Sequence, residues 1–163
     1  MQRRYALKIL GIVLLLCSGA GTAFFLINRA RLTLMRVQAW LELVRFIRSS
    51  VDNYSMSVSE ILRSCPAELI VRLGYPSDAD APERLEEIAE LSDIPDDEVG
   101  EIIKDLFGNF GKSYRTEQVT RCDECIDKLR AKEAYLAERL PVKKKIILCV
   151  SLCATAGVII LLL

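Results

Sequence analysis

No histidine occurs anywhere in the 163 residues. Its absence removes the commonest general base, the Ser-His and Cys-His nucleophile pairs and the commonest metal ligand. Most hydrolase chemistry is thereby excluded, and neither an enzyme nor a bound cofactor is expected. Carboxylates are missing from both chain ends, since all 22 acidic residues lie between Glu42 and Glu138. The formal net charge is zero, with 22 basic residues against those 22, so bulk charge points to no nucleic-acid partner. No stretch of residues 28–142 alternates apolar and polar residues for long enough to make a sheet.

What is present begins with two uncharged apolar runs. Ile9 to Ile27 holds 19 residues without a charge, and Ile146 to Leu163 holds 18. At the α-helical rise these span roughly 28 and 27 Å, close to the hydrocarbon thickness of a bilayer. A buried helix of a soluble domain would show a polar stripe, and neither run has one. The first run also follows Arg3 and Arg4, as a cleaved signal peptide would. It is longer than a usual signal core, however, and Ser18 to Ala23 offers only loosely placed small residues for cleavage. Leu16 before Cys17 is too large for a lipoprotein signal. A retained span is expected. Arg29, Arg31, Arg36, Lys132, Arg139 and Lys143–Lys145 flank the runs on the inner side, against Arg3, Arg4 and Lys8 on the other. The excess of positive charge predicts a cytoplasmic domain.

The expected organisation is a short tail at 1–8, a membrane helix at 9–27, a cytoplasmic helical domain at 28–142, and a basic anchor with a second membrane helix at 143–163. Within the domain, Leu34, Val37, Leu41, Val44 and Ile47 recur at helical spacing, and no Gly or Pro intervenes before Pro66. The first span therefore continues into the domain as one helix. Ser57 and Glu60 fit a capping box opening a short helix. Pro66 suits a first helical position and Gly74 a stop. Pro82 and Pro95 open two further helices, the second ending near Gly108 or Gly111. A last helix begins near Ser113 to Thr116 and carries Val119, Cys122, Ile126, Leu129, Glu133, Leu136 and Leu140, a heptad-like seam with one charged member. Pro141 predicts a break or kink. The fold class is all-α: a bundle of about five or six helices between the two membrane helices, with the first and last side by side and antiparallel.

Charge is distributed unevenly along this domain. Asp78 to Asp105 holds twelve acidic residues against Arg84 and Lys104, a net charge of −10, whereas residues 28–72 carry +3 and residues 106–145 carry +4. Basic groups beside the spans are attracted to anionic lipid, so the acidic middle should point away from the surface. Two readings of that middle stay open. Its carboxylates form a solvated helix face, several of them aiding N-terminal turns through the helix dipole. Alternatively, Glu83, Glu86, Glu87, Glu90, Asp96, Asp97, Glu98 and Glu101 form a docking face for a basic partner.

Two motifs invite chemistry. Cys122 and Cys125 make a C-x-x-C pair, with Cys65 distant and Cys17, Cys149 and Cys153 inside the apolar runs. A structural zinc site wants four ligands, and a redox pair would open a helix after a strand. Here there is no second pair, and the motif falls within a predicted helix, with Cys122 on the apolar seam. Core positions are the expected reading, with metal binding and thiol redox as the alternatives. Gly111-Lys112-Ser113 matches only the tail of a phosphate loop, because residue 106 is Leu and a helix precedes.

The stretch Phe107 to Gln118 (FGNFGKSYRTEQ) before a long charged helix, the opening Leu7 to Gly11 and a span at each end resemble the stage III sporulation protein AB family of endospore-forming bacteria. Gly111, Ser113 and Gln118 match that family's phrase, while Phe110 stands for its Leu and Tyr114 for its Asp. The resemblance implies a domain like the cytoplasmic helical domain of the type II secretion platform protein. It implies a non-enzymatic scaffold in the mother-cell membrane facing the forespore, coupling a secretion-type ATPase to other membrane components of a channel complex, with a homo-oligomer possible. Ser113 and Gln118 are read as fixing the helix junction, as cap and first-turn hydrogen bonder. A membrane adaptor or sensor with another partner is the first rival, and a thiol oxidoreductase using Cys122 and Cys125 the second.

Overall fold

The computed structural model describes residues 2–54, 56–76 and 81–162; within these, the side chains of residues 2–10, 12–16, 54, 159, 161 and 162 fall outside the description. The described residues form six α-helices and no strand: α1 (Gln2–Tyr54), α2 (Val58–Ser64), α3 (Ala67–Arg72), α4 (Leu85–Leu91), α5 (Asp97–Gly108) and α6 (Arg115–Leu162). They divide into a central unit, Thr33–Leu136, and a terminal unit made of Met1–Leu32 and Ala137–Leu163.

In the central unit the two long helices run antiparallel. Gln38 bonds Glu133, Arg48 bonds Asp123, and Arg115 reaches Asp52, so the partners on α6 descend as those on α1 ascend. The core they enclose centres on Trp40, fully buried and tilted against Phe107 with ring centroids 6.2 Å apart. Val37, Val44, Ile47 and Val51 extend the α1 stripe at helical spacing, and Cys122, Ile126 and Leu129 answer from α6. Each short helix contributes its apolar face: Ile61 and Leu62 from α2, Leu69 from α3, Leu85 and Ile88 from α4, and Val99, Ile103, Leu106 and Phe107 from α5.

Local signals set the ends of these helices. The Ser57 N–H donates to the Glu60 carboxylate at 2.8 Å, as the capping box requires. Asp96 caps α5 by accepting from the Val99 N–H at 2.9 Å, with Asp97 and Glu98 in the first turn. Gly74 follows α3 with φ of +84°, and a Cβ there would lie 3.1 Å from that of Asp93. Only glycine fits without strain. The prolines sit earlier than the sequence predicts. Pro66 is the N-cap of α3, and α4 and α5 begin after Arg84 and Asp96 rather than at Pro82 and Pro95. Their fixed φ thus shapes the approach to each helix. Nor does Pro141 break α6, which runs on to Leu162. The carbonyl deprived of its partner there belongs to Ala137, which is exposed, so solvent offsets the loss.

In the terminal unit α1 and α6 meet through small residues. The Ser151 hydroxyl donates to the Gly19 carbonyl at 2.8 Å. A Cβ on Gly19 would come within 2.4 Å of Thr155 Cγ2. Glycine therefore sets the closeness of this approach, as in helix pairs that pack without bulky side chains between them. Large apolar side chains point outward on both helices, among them Phe24 (74% exposed), Phe25, Val150, Leu152 (66%) and Ile160. Among the described residues no helix is long and apolar enough to cross a membrane. Residues 9, 10 and 12–16 of the first expected span, and 159 and 161–163 of the second, lie outside the described side chains.

Truncating Trp40 to Ala is expected to cost about 3–5 kcal/mol by chemical denaturation of the full chain in detergent. Trp40→Phe should cost far less, because the indole N–H it removes is buried without a partner. Equal losses would contradict a Trp40-centred core.

Candidate functional site

The acidic segment runs through α4 and α5 and the turns before them. Asp78 and Asp80 lie outside the described residues. Of the eight carboxylates singled out as a docking face, several hold the fold together. Asp96 caps α5 and also pairs with Lys132 of α6 at 2.9 Å, while Glu98 accepts from the same ammonium. Glu87 accepts from the Glu83 N–H at 3.0 Å ahead of α4, and Glu86 pairs with Arg84 at 3.3 Å. Neighbouring Asp93 is held by Arg36 of α1. Glu83, Glu90, Asp97 and Glu101 stay exposed. The segment therefore divides into an inner set that fastens α4 and α5 and an outer set facing solvent.

Lys132 is the hinge of the inner set. Its side chain is only 16% exposed, between two carboxylates. Hydrogen bonds to Glu98 and Asp96 hold its ammonium above the ordinary lysine value, against the opposing effect of burial. For Asp96, burial pushes the carboxyl up. The bonds it receives from Lys132 and the Val99 N–H outweigh that and leave it below its ordinary value. Sequence reasoning missed this clamp because the partners lie 34 and more residues apart, and no local pattern joins them. A related signal was visible: Glu133, the one charged member of the seam, is half-buried and accepts from Gln38 at 2.8 Å.

A groove of about 810 Å³ separates α5 from α6 beside the clamp, with Glu98, Glu101 and Asp105 on one wall and Lys128, Lys132 and Tyr135 on the other. Ile102 and Ala131 supply its apolar surface. The acidic wall thus borders a space able to admit a side chain or a helix edge.

The motif at Gly111, Ser113 and Gln118 forms the junction from α5 to α6. Gly111 has φ of +80°, a turn that favours glycine. The Gln118 side-chain amide donates to the Ser113 carbonyl at 2.7 Å, tying the first turn of α6 to the loop before it. Ser113 serves through its backbone here, and the first helical bond runs from the Gln118 N–H to Tyr114. Lys112 donates to the Gly108 carbonyl at the end of α5, so the lysine of the Gly-Lys-Ser tail caps a helix C-terminus.

Cys122 and Cys125 are both buried in the core of the central unit. Burial pushes the Cys122 thiol up to about 11 and the Cys125 thiol up to about 12. Both are thiols rather than thiolates at neutral pH, the opposite of what redox catalysis requires. Among the described residues no group of His, Cys, Asp or Glu side chains is placed to hold a metal ion. No family profile, curated protein or solved structure matches the chain.

The clamp makes a pH prediction with a definite sign. The depressed Asp96 value means its contribution is full above the ordinary carboxylate titration and lost as pH falls through the folded-state value. Lys132, raised, contributes below the ordinary lysine titration and loses that as pH rises through its folded-state value. Asp96→Asn keeps a competent cap and is expected to flatten the acid limb of the stability profile, and Lys132→Met the alkaline limb, in denaturant unfolding followed across pH. Unchanged limbs would show that the pair does not couple α5 to α6.

Proposed function

We propose that the chain is a non-enzymatic, membrane-anchored helical scaffold of the kind its sequence resembles, a stage III sporulation protein AB-like platform component. On this reading α1 and α6 each embed their uncharged ends in the mother-cell membrane facing the forespore. The helices between carry a cytoplasmic domain that couples a secretion-type ATPase to the membrane channel of a sporulation complex.

The observation that carries the reading is the outward face of the terminal unit. Phe24, Phe25, Ile146, Leu148, Val150 and Leu152 all expose large apolar surface, more than a soluble monomer usually leaves to water. Its threonine hydroxyls are satisfied from within. Thr22 donates to the carbonyls of Ser18 and Gly19, and Thr155 to those of Ser151 and Leu152. Surfaces in hydrocarbon need this, because no water is there to meet a stray donor. Basic residues flank these ends, and carboxylates are absent beyond Glu42 and Glu138.

Partner capture belongs on the outer acidic set. Glu83, Glu90, Asp97 and Glu101 are exposed, whereas Asp96 and Glu98 are occupied by Lys132. Rim charges of this sort steer a basic partner and set its orientation. The test is the triple variant Glu90→Lys, Asp97→Lys, Glu101→Lys in a sporulating host, followed by crosslinking and co-purification. The chain should remain in the membrane fraction after alkaline carbonate, while recovery of the secretion-type ATPase falls at least tenfold. Release of the wild-type chain by carbonate would defeat the anchoring reading, and unchanged ATPase recovery would defeat the docking one.

A further inference from the structure

We propose that the cleft between α1 and α6 in the terminal unit binds one anionic phospholipid, with an acyl chain in the cleft and the phosphate beside Lys143 and Lys144. The proposal rests on the membrane reading above and adds a defined lipid site to it.

The cleft measures about 420 Å³, and its walls are Ala23 and Leu26 of α1 with Ile146, Ile147, Val150 and Ala154 of α6. Two hydroxyls also border it, Thr22 and Ser151. Neither has a proton to offer a ligand. Thr22 donates to the Ser18 and Gly19 carbonyls at 3.1 and 2.9 Å, and Ser151 to the Gly19 carbonyl at 2.8 Å. A wall without available donors rewards hydrocarbon and penalises a polar guest, which would leave water and gain no partner.

Charge lies at one end only. On α6, Lys143 is three residues before Ile146 and four before Ile147, and Lys144 is three before Ile147. Residues so spaced share a helix face, so both ammonium groups stand about one turn, roughly 5 Å, beyond the apolar lining. Neither forms an ion pair among the described residues, and both lie outside the uncharged run. Compensation from the protein is scarce. The stretches 1–32 and 137–163 hold nine Lys and Arg against the single carboxylate of Glu138. A hydrocarbon slot ending at unbalanced cations matches a molecule with a long apolar chain and an anionic head. A phospholipid with net negative charge satisfies both demands, whereas a zwitterionic lipid satisfies the slot and only weakly the cations.

The test uses the full chain reconstituted with dioleoyl phosphatidylglycerol and dioleoyl phosphatidylcholine, which share acyl chains and differ in head charge. After mild detergent extraction, native mass spectrometry counts the lipids that each chain retains. One phosphatidylglycerol should remain where phosphatidylcholine is lost. Lys143→Gln and Lys144→Gln should each lower its retention about fivefold, the loss expected from one surface cation. Ala154→Phe fills the slot and should also lower it, although it leaves every charge in place. Equal retention of the two lipids, or full retention in Ala154→Phe, would overturn the site. Flotation with vesicles of phosphatidylcholine alone separates the two claims. A chain that fails to float defeats the membrane reading and the site together, and one that floats without retaining phosphatidylglycerol defeats the site alone.

Discussion

Large apolar side chains that face away from the protein favour surroundings as apolar as themselves. The ends of α1 and α6 present such a surface at Phe24, Phe25, Leu148, Val150 and Leu152 while turning their small residues, Gly19, Ser151 and Thr155, toward each other. This inverts the rule for water-soluble helices, which bury the large residues and leave polar ones outside. Burial of large apolar groups drives association in water. In lipid, close contact and internally satisfied hydroxyls must do so instead. The proposed anchoring and the proposed lipid site both follow from that inversion.

The central unit obeys the ordinary rule. Its core is assembled from stripes on all six helices around Trp40 and Phe107. The short helices α2 to α5 contribute too few residues to be stable alone, so their positions depend on packing against the long pair and on a few polar fasteners. Lys132 with Asp96 is the most sheltered ion pair among the described residues. Exposed ion pairs elsewhere, such as Arg130 with Asp127, contribute little. Lys132 differs because its ammonium is sheltered and one partner also caps α5, so one side chain links the start of α5 to the middle of α6.

Much of this was legible from residue order. The helical class, the continuous α1, the α5 and α6 stripes, the Ser57 and Glu60 box and the Gly74 stop all follow from local periodicity or from the conformational needs of one residue. Proline was read less well. Pro82 and Pro95 precede their helices because Arg84 and Asp96 take the cap positions, and Pro141 leaves α6 whole because its lost hydrogen bond faces solvent. Tertiary pairing was not legible. Asp96 and Glu98 looked like members of one exposed acidic face with Glu90 and Glu101. Nothing within 30 residues reveals that Lys132 pairs with both. For Cys122 the seam position was the correct clue, Cys125 is buried beside it without that clue, and burial leaves both as thiols that resist ionisation.

The most direct test of the central claim is spin-label accessibility along the terminal helices. Single labels placed at Phe25 and Leu152 of the chain reconstituted in vesicles would be compared with one at exposed Tyr114. The account predicts strong relaxation by oxygen and weak relaxation by a water-soluble nickel complex at the first two sites, with the reverse at Tyr114. Free access of the nickel complex to Phe25 and Leu152 would contradict it.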